Sequence, residues 1–210
     1  MSRATVVYVH GLWMTGSESL LLRRRLGRER GFCTQIFRYR SIHAPLDTHA
    51  AGLRDMIASI DAPCVHLVGH SLGGLVILRC LERFRVGPPG RVVFLGTPVQ
   101  GSRCAHRIGQ WGWWGNRLLG TMAQTLRPGP LRLWRSDRAL GIIAGTSPTG
   151  LGRMLLTFGE DNDGTVAVSE TWLPGATEVL RLPASHSGML LSARVARETG
   201  SFLEYGSFGR

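Results

Sequence analysis

The chain contains no lysine. All 25 basic residues are arginine, against 14 acidic ones, for a formal net charge of +11. An excess of this size favours anionic partners in general. The arginines are scattered, however, and the densest group, Arg23, Arg24, Arg25, Arg28 and Arg30, suits the solvated end of one helix. No nucleic-acid motif accompanies it, so no nucleic-acid partner is expected. Long apolar runs are missing as well. No window approaches the roughly 18 consecutive apolar residues of a membrane-spanning helix. Residues 1–10 lack the charged and then apolar order of a secretory signal, so a cytoplasmic location is expected. Cysteine is sparse. Cys33, Cys64, Cys80 and Cys104 form no C-x-x-C pair and stand at no metal-ligand spacing with histidine. Cys64 and Cys80 fall in apolar periodic stretches and are expected to be buried small hydrophobes.

What is present is ordinary for a globular chain: 43 % hydrophobic and 19 % charged residues over 210 positions, the length of a single domain spanning 1–210. Short apolar runs alternate with helical periodicity. Strands are expected at Val6–Val9, Thr34–Tyr39, Cys64–Val68, Arg91–Leu95, Ala139–Ala144, Arg153–Phe158 and Val179–Leu182. Helices are expected at Ser17–Arg30, with Leu20, Leu21, Leu22 and Leu26 as its apolar face, and at Leu46–Ile60, Leu72–Arg85 and Ala193–Leu203. That order predicts an α/β fold, a mostly parallel sheet with helices on both faces. Residues 99–138 break the rhythm. They are too long for an ordinary crossover and are expected as a Trp-rich cap inserted over the sheet.

Gly69-His70-Ser71-Leu72-Gly73 follows an apolar strand and opens an apolar helix. A G-x-S-x-G in that setting forces its serine into a strained turn at the carboxyl edge of the sheet, hydroxyl outward. Glycines two before and two after leave room for the tight packing. A serine nucleophile needs a base. Of the seven histidines, His66 sits inside a strand, His70 inside the turn itself, and His10 at the end of the first strand. His43, His49 and His106 have no strand-end context. His186 lies in a loop beyond the last strand's carboxyl end, where parallel sheets place their chemistry, and is the expected base. The base in turn needs a carboxylate to fix its tautomer. Asp163, in the turn Glu160-Asp161-Asn162-Asp163-Gly164, is the first choice, with Asp161 and Glu160 as alternatives. Two N–H donors should await the developing oxyanion: Leu72, after the nucleophile, and Leu12, in the loop after the first strand.

Taken together, His10-Gly11-Leu12, the G-x-S-x-G, Leu95-Gly96-Thr97-Pro98 with Gly101-Ser102, Asn162-Asp163-Gly164-Thr165-Val166 and Ser185-His186-Ser187-Gly188 resemble the α/β-hydrolase superfamily. The likeness is to its bacterial lipase and esterase group and to relatives similar to GPI inositol-deacylases. The resemblance implies an α/β-hydrolase fold, Asp163 as the triad acid, and a serine hydrolase acting on carboxylic esters, with a small-molecule ester or lipid as substrate. The same triad would serve a thioesterase, amidase or acyltransferase. A binding module that kept the fold without turnover is the remaining alternative. Calcium-containing lipases of the group carry an Asp two residues after the catalytic His. Gly188 stands there instead, so no metal and no cofactor are expected.

The cap holds Trp111, Trp113, Trp114 and Trp134. Trp111, Trp113 and Trp114, with Trp13 of the oxyanion loop, are expected to line an acyl pocket; the other reading is that the cap rings seal the core. If exposed, they and Arg103, Arg107 and Arg117 would suit an anionic lipid surface.

Overall fold

A strand buried on both faces must be apolar almost throughout. Thr5–Val9 (β1), Val65–His70 (β3), Val92–Leu95 (β4) and Leu140–Gly145 (β5) are buried at every position. Cys33–Phe37 (β2) and Glu178–Leu182 (β6) alternate between exposed and half-buried residues until their buried last residues, Phe37 and Leu182, as edge strands do. The computed structural model describes residues 4–129, 131–149 and 158–209. In it the six strands form one parallel sheet in the order β2-β1-β3-β4-β5-β6. The expected strand at Arg153–Phe158 lies almost wholly outside the described residues.

From β1 the chain moves outward to β2, then returns to place β3 on β1's other side. The order of strands reverses there, and a crevice opens between the carboxyl ends of β1 and β3. The register pairs Val9 with Gly69 and His70 with Leu95. The loop after β1 and the turn after β3 therefore emerge side by side.

Period-two alternation sends Val7, Val9 and Leu67 to one face, where they pack with Leu53 and Ile57 of Leu46–Ala58 (α2) and Leu75, Val76 and Ile77 of Leu72–Arg83 (α3). Val6, Tyr8 and Val68 face the other way. They meet Leu22 and Leu26 of Leu20–Arg30 (α1) and Val195, Phe202 and Leu203 of Ala193–Tyr205, the last helix. Each such side chain contributes about 1.5–3 kcal/mol on burial. The first helix departs from expectation. It begins at Leu20 after a 3-10 turn at Ser17–Ser19, and Leu20 and Leu21 point outward. Only Leu22 and Leu26, one turn apart, face the core.

Between β4 and β5 the chain forms two short helices, Arg103–Gly109 (α4) and Trp113–Leu119 (α5); the last helix is α6. Ser102 caps α4 by accepting a hydrogen bond from the Ala105 N–H. Cys104, Ala105, Ile108 and Leu119 turn inward and join the α2–α3 core. The cysteines are unpaired. Cys80 and Cys104 are buried, whereas Cys64 is only half-buried and Cys33 exposed. Cys64, expected inside, stands just before β3, where the sheet gives way to loop.

Candidate active site

Ser71 sits between β3 and α3 with φ 54° and ψ −124°. Ser71 and Trp13 are the non-glycine residues with positive φ among those described, and both lie at this crevice. The neighbouring glycines explain how the turn closes. A Cβ on Gly73 would stand 2.0 Å from the Val9 carbonyl oxygen, and one on Gly69 2.6 Å from Gly74. α3 thus begins directly against the end of β1, with the Leu72 N–H in its first turn.

His186 lies in the loop after β6 and lines the same cavity as Ser71. Its Nδ1 is 2.6 Å from Asp163 Oδ2. A carboxylate only accepts, so Nδ1 carries the hydrogen and Nε2 is left as the basic nitrogen. Asp163 is itself 1 % exposed and firmly held. Its Oδ1 accepts from the Thr165 and Val166 N–H groups at 2.9 and 2.7 Å, and its carbonyl accepts from the His186 N–H at 2.8 Å. The alternatives are engaged elsewhere. Glu160 pairs with Arg103 at 2.6 Å, and Asp161 is exposed, 4.0 Å from Arg181.

The loop after β1 approaches closely because residue 11 is glycine. A Cβ there would meet the Ser71 Cβ at 3.1 Å. The Gly11 carbonyl accepts from His10 Nδ1 at 2.9 Å, and the Tyr39 hydroxyl donates to the His10 carbonyl at 2.7 Å. The Gly11–Leu12 peptide is trans, so its N–H, that of Leu12, projects opposite to the pinned carbonyl. Trp13 fixes the far side. Its backbone N–H donates to Ser41 Oγ at 3.0 Å and its indole N–H to the Leu118 carbonyl at 2.8 Å, which ties the loop to α5.

Leu12, Trp13, Ser71, Leu72, Ile108, Trp111, Leu118 and His186 are among the residues lining a cavity of about 410 Å³. That is within the usual range for small-molecule sites. Trp113 and Trp114 do not line it, contrary to expectation. α5 turns Gly115 and Leu119 inward, and the two indoles, one turn back, stack on each other in solvent with centroids 3.8 Å apart. Trp134 is buried against Phe94 and seals the core. Among the described residues no group of three or more His, Cys, Asp and Glu is arranged to hold a metal ion.

The model of the alpha/beta hydrolase family matches residues 6–198. The chain belongs to that family. Solved structures agree on the fold. The Bacillus licheniformis lipase BlEst2 in its mature form superposes with a TM-score of 0.76 at 19 % identity, over 99 % of this chain and 93 % of that one. The pyrethroid hydrolase PytH gives 0.66 at 14 % identity, over 98 % and 99 %. The metagenomic carboxyl esterase MGS0156 gives 0.65 at 18 % identity, over 89 % and 65 %. Among curated protein sequences nothing matches.

In this hydrolase two site residues carry roles that the sequence reading did not give them. His70, fully buried, donates from Nε2 to the His186 carbonyl at 3.0 Å and packs against its ring at 4.7 Å. Gly96, at the end of β4, leaves the space in which the pair sits; a Cβ there would be 2.8 Å from Asp163 Oδ2 and 3.1 Å from His186 Nδ1. Its place after the strand Val92–Leu95 was the available signal for Gly96. For His70 there was none beyond its position in the turn.

Burial, and next the neighbouring His186, pushes His70 down to about 3. Burial, and next Arg91, pushes His66 down to about 4. Both are neutral in the folded protein and take up protons near pH 6.5 once unfolded. Their contribution is complete above that pH. As pH falls from there toward 4, the unfolded chain alone binds the protons, and each histidine withdraws about 1.4 kcal/mol of stability per pH unit. Thermal melts are expected to show Tm falling over this window, with a shallower fall in His66→Gln. A Tm that stays constant across it would contradict the assignment.

Proposed function

We propose that this hydrolase cleaves carboxylic esters through Ser71, His186 and Asp163, with the Leu12 and Leu72 N–H groups as the oxyanion hole. The observation that carries the reading is the buried His186–Asp163 pair at 2.6 Å, whose His186 lines the same cavity as a serine held at φ 54°. Asp163 keeps the His186 hydrogen on Nδ1, so Nε2 takes the proton of Ser71 as Oγ attacks the ester carbonyl. The new C–O bond leaves the former carbonyl oxygen negative, opposite the two N–H donors. Collapse expels the alkoxide, which receives the proton from Nε2. Water, deprotonated by His186 in turn, then cleaves the acyl-enzyme and restores the Ser71 hydroxyl.

The cavity's size and lining bear on the substrate. Ile108, Leu118, Leu119, Leu126 and Trp111 supply an apolar wall, which suits an acyl chain. At ~30 Å³ for a group the size of water or a methylene, about 410 Å³ holds on the order of a dozen such groups. With the alcohol portion included, hydrolysis of p-nitrophenyl esters from acetate to palmitate is expected to peak at chains of about six to ten carbons. Ile108→Trp should move the peak to shorter chains. A peak at palmitate would contradict this use of the cavity, and no turnover of any ester would contradict the substrate class.

A further inference from the structure

The reaction uses the interior of the cavity and leaves its outer rim without a role. Trp113 and Trp114 are 61 % and 60 % exposed, and the neighbouring Trp111, Trp13 and Leu118 at the cavity mouth are between 43 % and 53 % exposed. Five large apolar side chains displayed together are uncommon on a chain that meets only water. The indoles cannot fold under α5, because Gly115 already brings that helix against the Ile108 carbonyl; a Cβ at Gly115 would stand 1.9 Å from that oxygen.

The charge around this rim has one sign. Residues 99–138 hold seven arginines and a single acidic residue, Asp137. Arg103 is paired with Glu160 and Glu170, and Arg132 and Arg138 are engaged with backbone carbonyls. Arg107, Arg117 and Arg127 are exposed and meet no carboxylate among the described residues. Arg127 lines a notch of about 90 Å³ between α4 and α5 together with His106, Gln110 and Asn116, a set of groups able to donate to a phosphate oxygen.

We infer that the α4–α5 surface docks on an anionic lipid bilayer. Trp113 and Trp114 enter the interfacial layer, and Arg107, Arg117 and Arg127 meet the phosphates. Indoles have an apolar body and one polar N–H and settle at that boundary. Arginines near a negatively charged leaflet each add attraction of about one fivefold step in partitioning. A single-stranded nucleic acid would also favour aromatic rings beside arginines. Here, however, the two indoles cover one another's faces at 3.8 Å, and the rim opens into an apolar cavity, which suits a lipid tail and not a stacked base.

The test is co-sedimentation with vesicles of phosphatidylcholine alone and of phosphatidylcholine mixed with phosphatidylglycerol. Ser71→Ala protein keeps the whole surface and leaves the vesicles chemically intact, so failure to bind and failure to turn over are read separately. Sedimentation with the mixed vesicles, weakened by salt and far weaker with phosphatidylcholine alone, is expected. The Trp113→Ala/Trp114→Ala pair should lose at least about tenfold in binding. Arg107→Gln/Arg117→Gln/Arg127→Gln should lose about a hundredfold on the mixed vesicles. These side chains are exposed, so thermal melts should confirm that each variant folds. The inference is overturned if the protein stays in the supernatant with mixed vesicles at low salt, or if the tryptophan variant binds as well as its parent. It is overturned equally if single-stranded RNA is retained in place of vesicles, or if light scattering shows a dimer that dissociates when Trp113 and Trp114 are replaced.

Discussion

Replacement of Ser71 by alanine is expected to lower kcat on p-nitrophenyl esters by about 10⁵-fold, leaving the residual rate that the oxyanion donors and binding supply alone. The fold should be untouched. Alanine keeps the Cβ that Ser71 already accommodates at φ 54°, so Tm should stay within error of the parent. Ser71→Gly separates strain from chemistry. It should be equally inactive yet gain about 1 kcal/mol of stability. Relief of an outlying backbone conformation returns about 1–3 kcal/mol, and glycine's greater freedom when unfolded removes about 0.5–1. A substantial rate in Ser71→Ala, measured on protein free of other esterases, would refute the nucleophile.

Asp163→Asn is expected to cost about 10⁴-fold in kcat. The reason lies in which oxygen does what. Oδ1 is occupied by the Thr165 and Val166 N–H groups, so an asparagine keeps its oxygen there and turns its NH₂ toward His186. His186 Nδ1 must then accept, its hydrogen moves to Nε2, and no base faces Ser71. Substrate binding, and hence KM, should change little. Asp161→Asn, at an exposed side chain 4.0 Å from Arg181, should leave kcat unchanged. If Asp161→Asn proved the more damaging, the acid would be misassigned.

Much of this arrangement was legible in the sequence because the decisive features are local. The turn at Ser71 is specified by an apolar strand, two glycines and an apolar helix within about twelve residues of each other. The alternation of strands and helices made loops beyond strand ends the places to search for the partners of Ser71, and the structure places Leu12, Ser71 and His186 around one cavity. The local reading put Asp163 first among Glu160, Asp161 and Asp163 but kept the other two as alternatives, because the choice turns on three-dimensional geometry. It depends on which carboxylate the Thr165 and Val166 N–H groups fold inward. The resemblance to known hydrolases implied Asp163 as well, in agreement with that first choice. Composition could not say which way the cap tryptophans face. α5 is only seven residues long, and its inward side is set by a backbone contact at Gly115 and not by hydrophobicity. Trp111, which precedes α5, lines the cavity, while Trp113 and Trp114 stand outside it. Leu20 and Leu21 were misplaced for a related reason: four leucines in a helix give more apolar surface than a helix packed on one side can bury.

The central claim is that Ser71 is a nucleophile activated by His186. A fluorophosphonate probe reacts with such a serine whatever ester the enzyme prefers. Intact-mass measurement and peptide mapping after labelling are expected to show one adduct, on Ser71, formed quickly in the parent protein and at least about 10³-fold more slowly in His186→Ala. An adduct on another residue, or labelling of Ser71 at the same rate without His186, would contradict it.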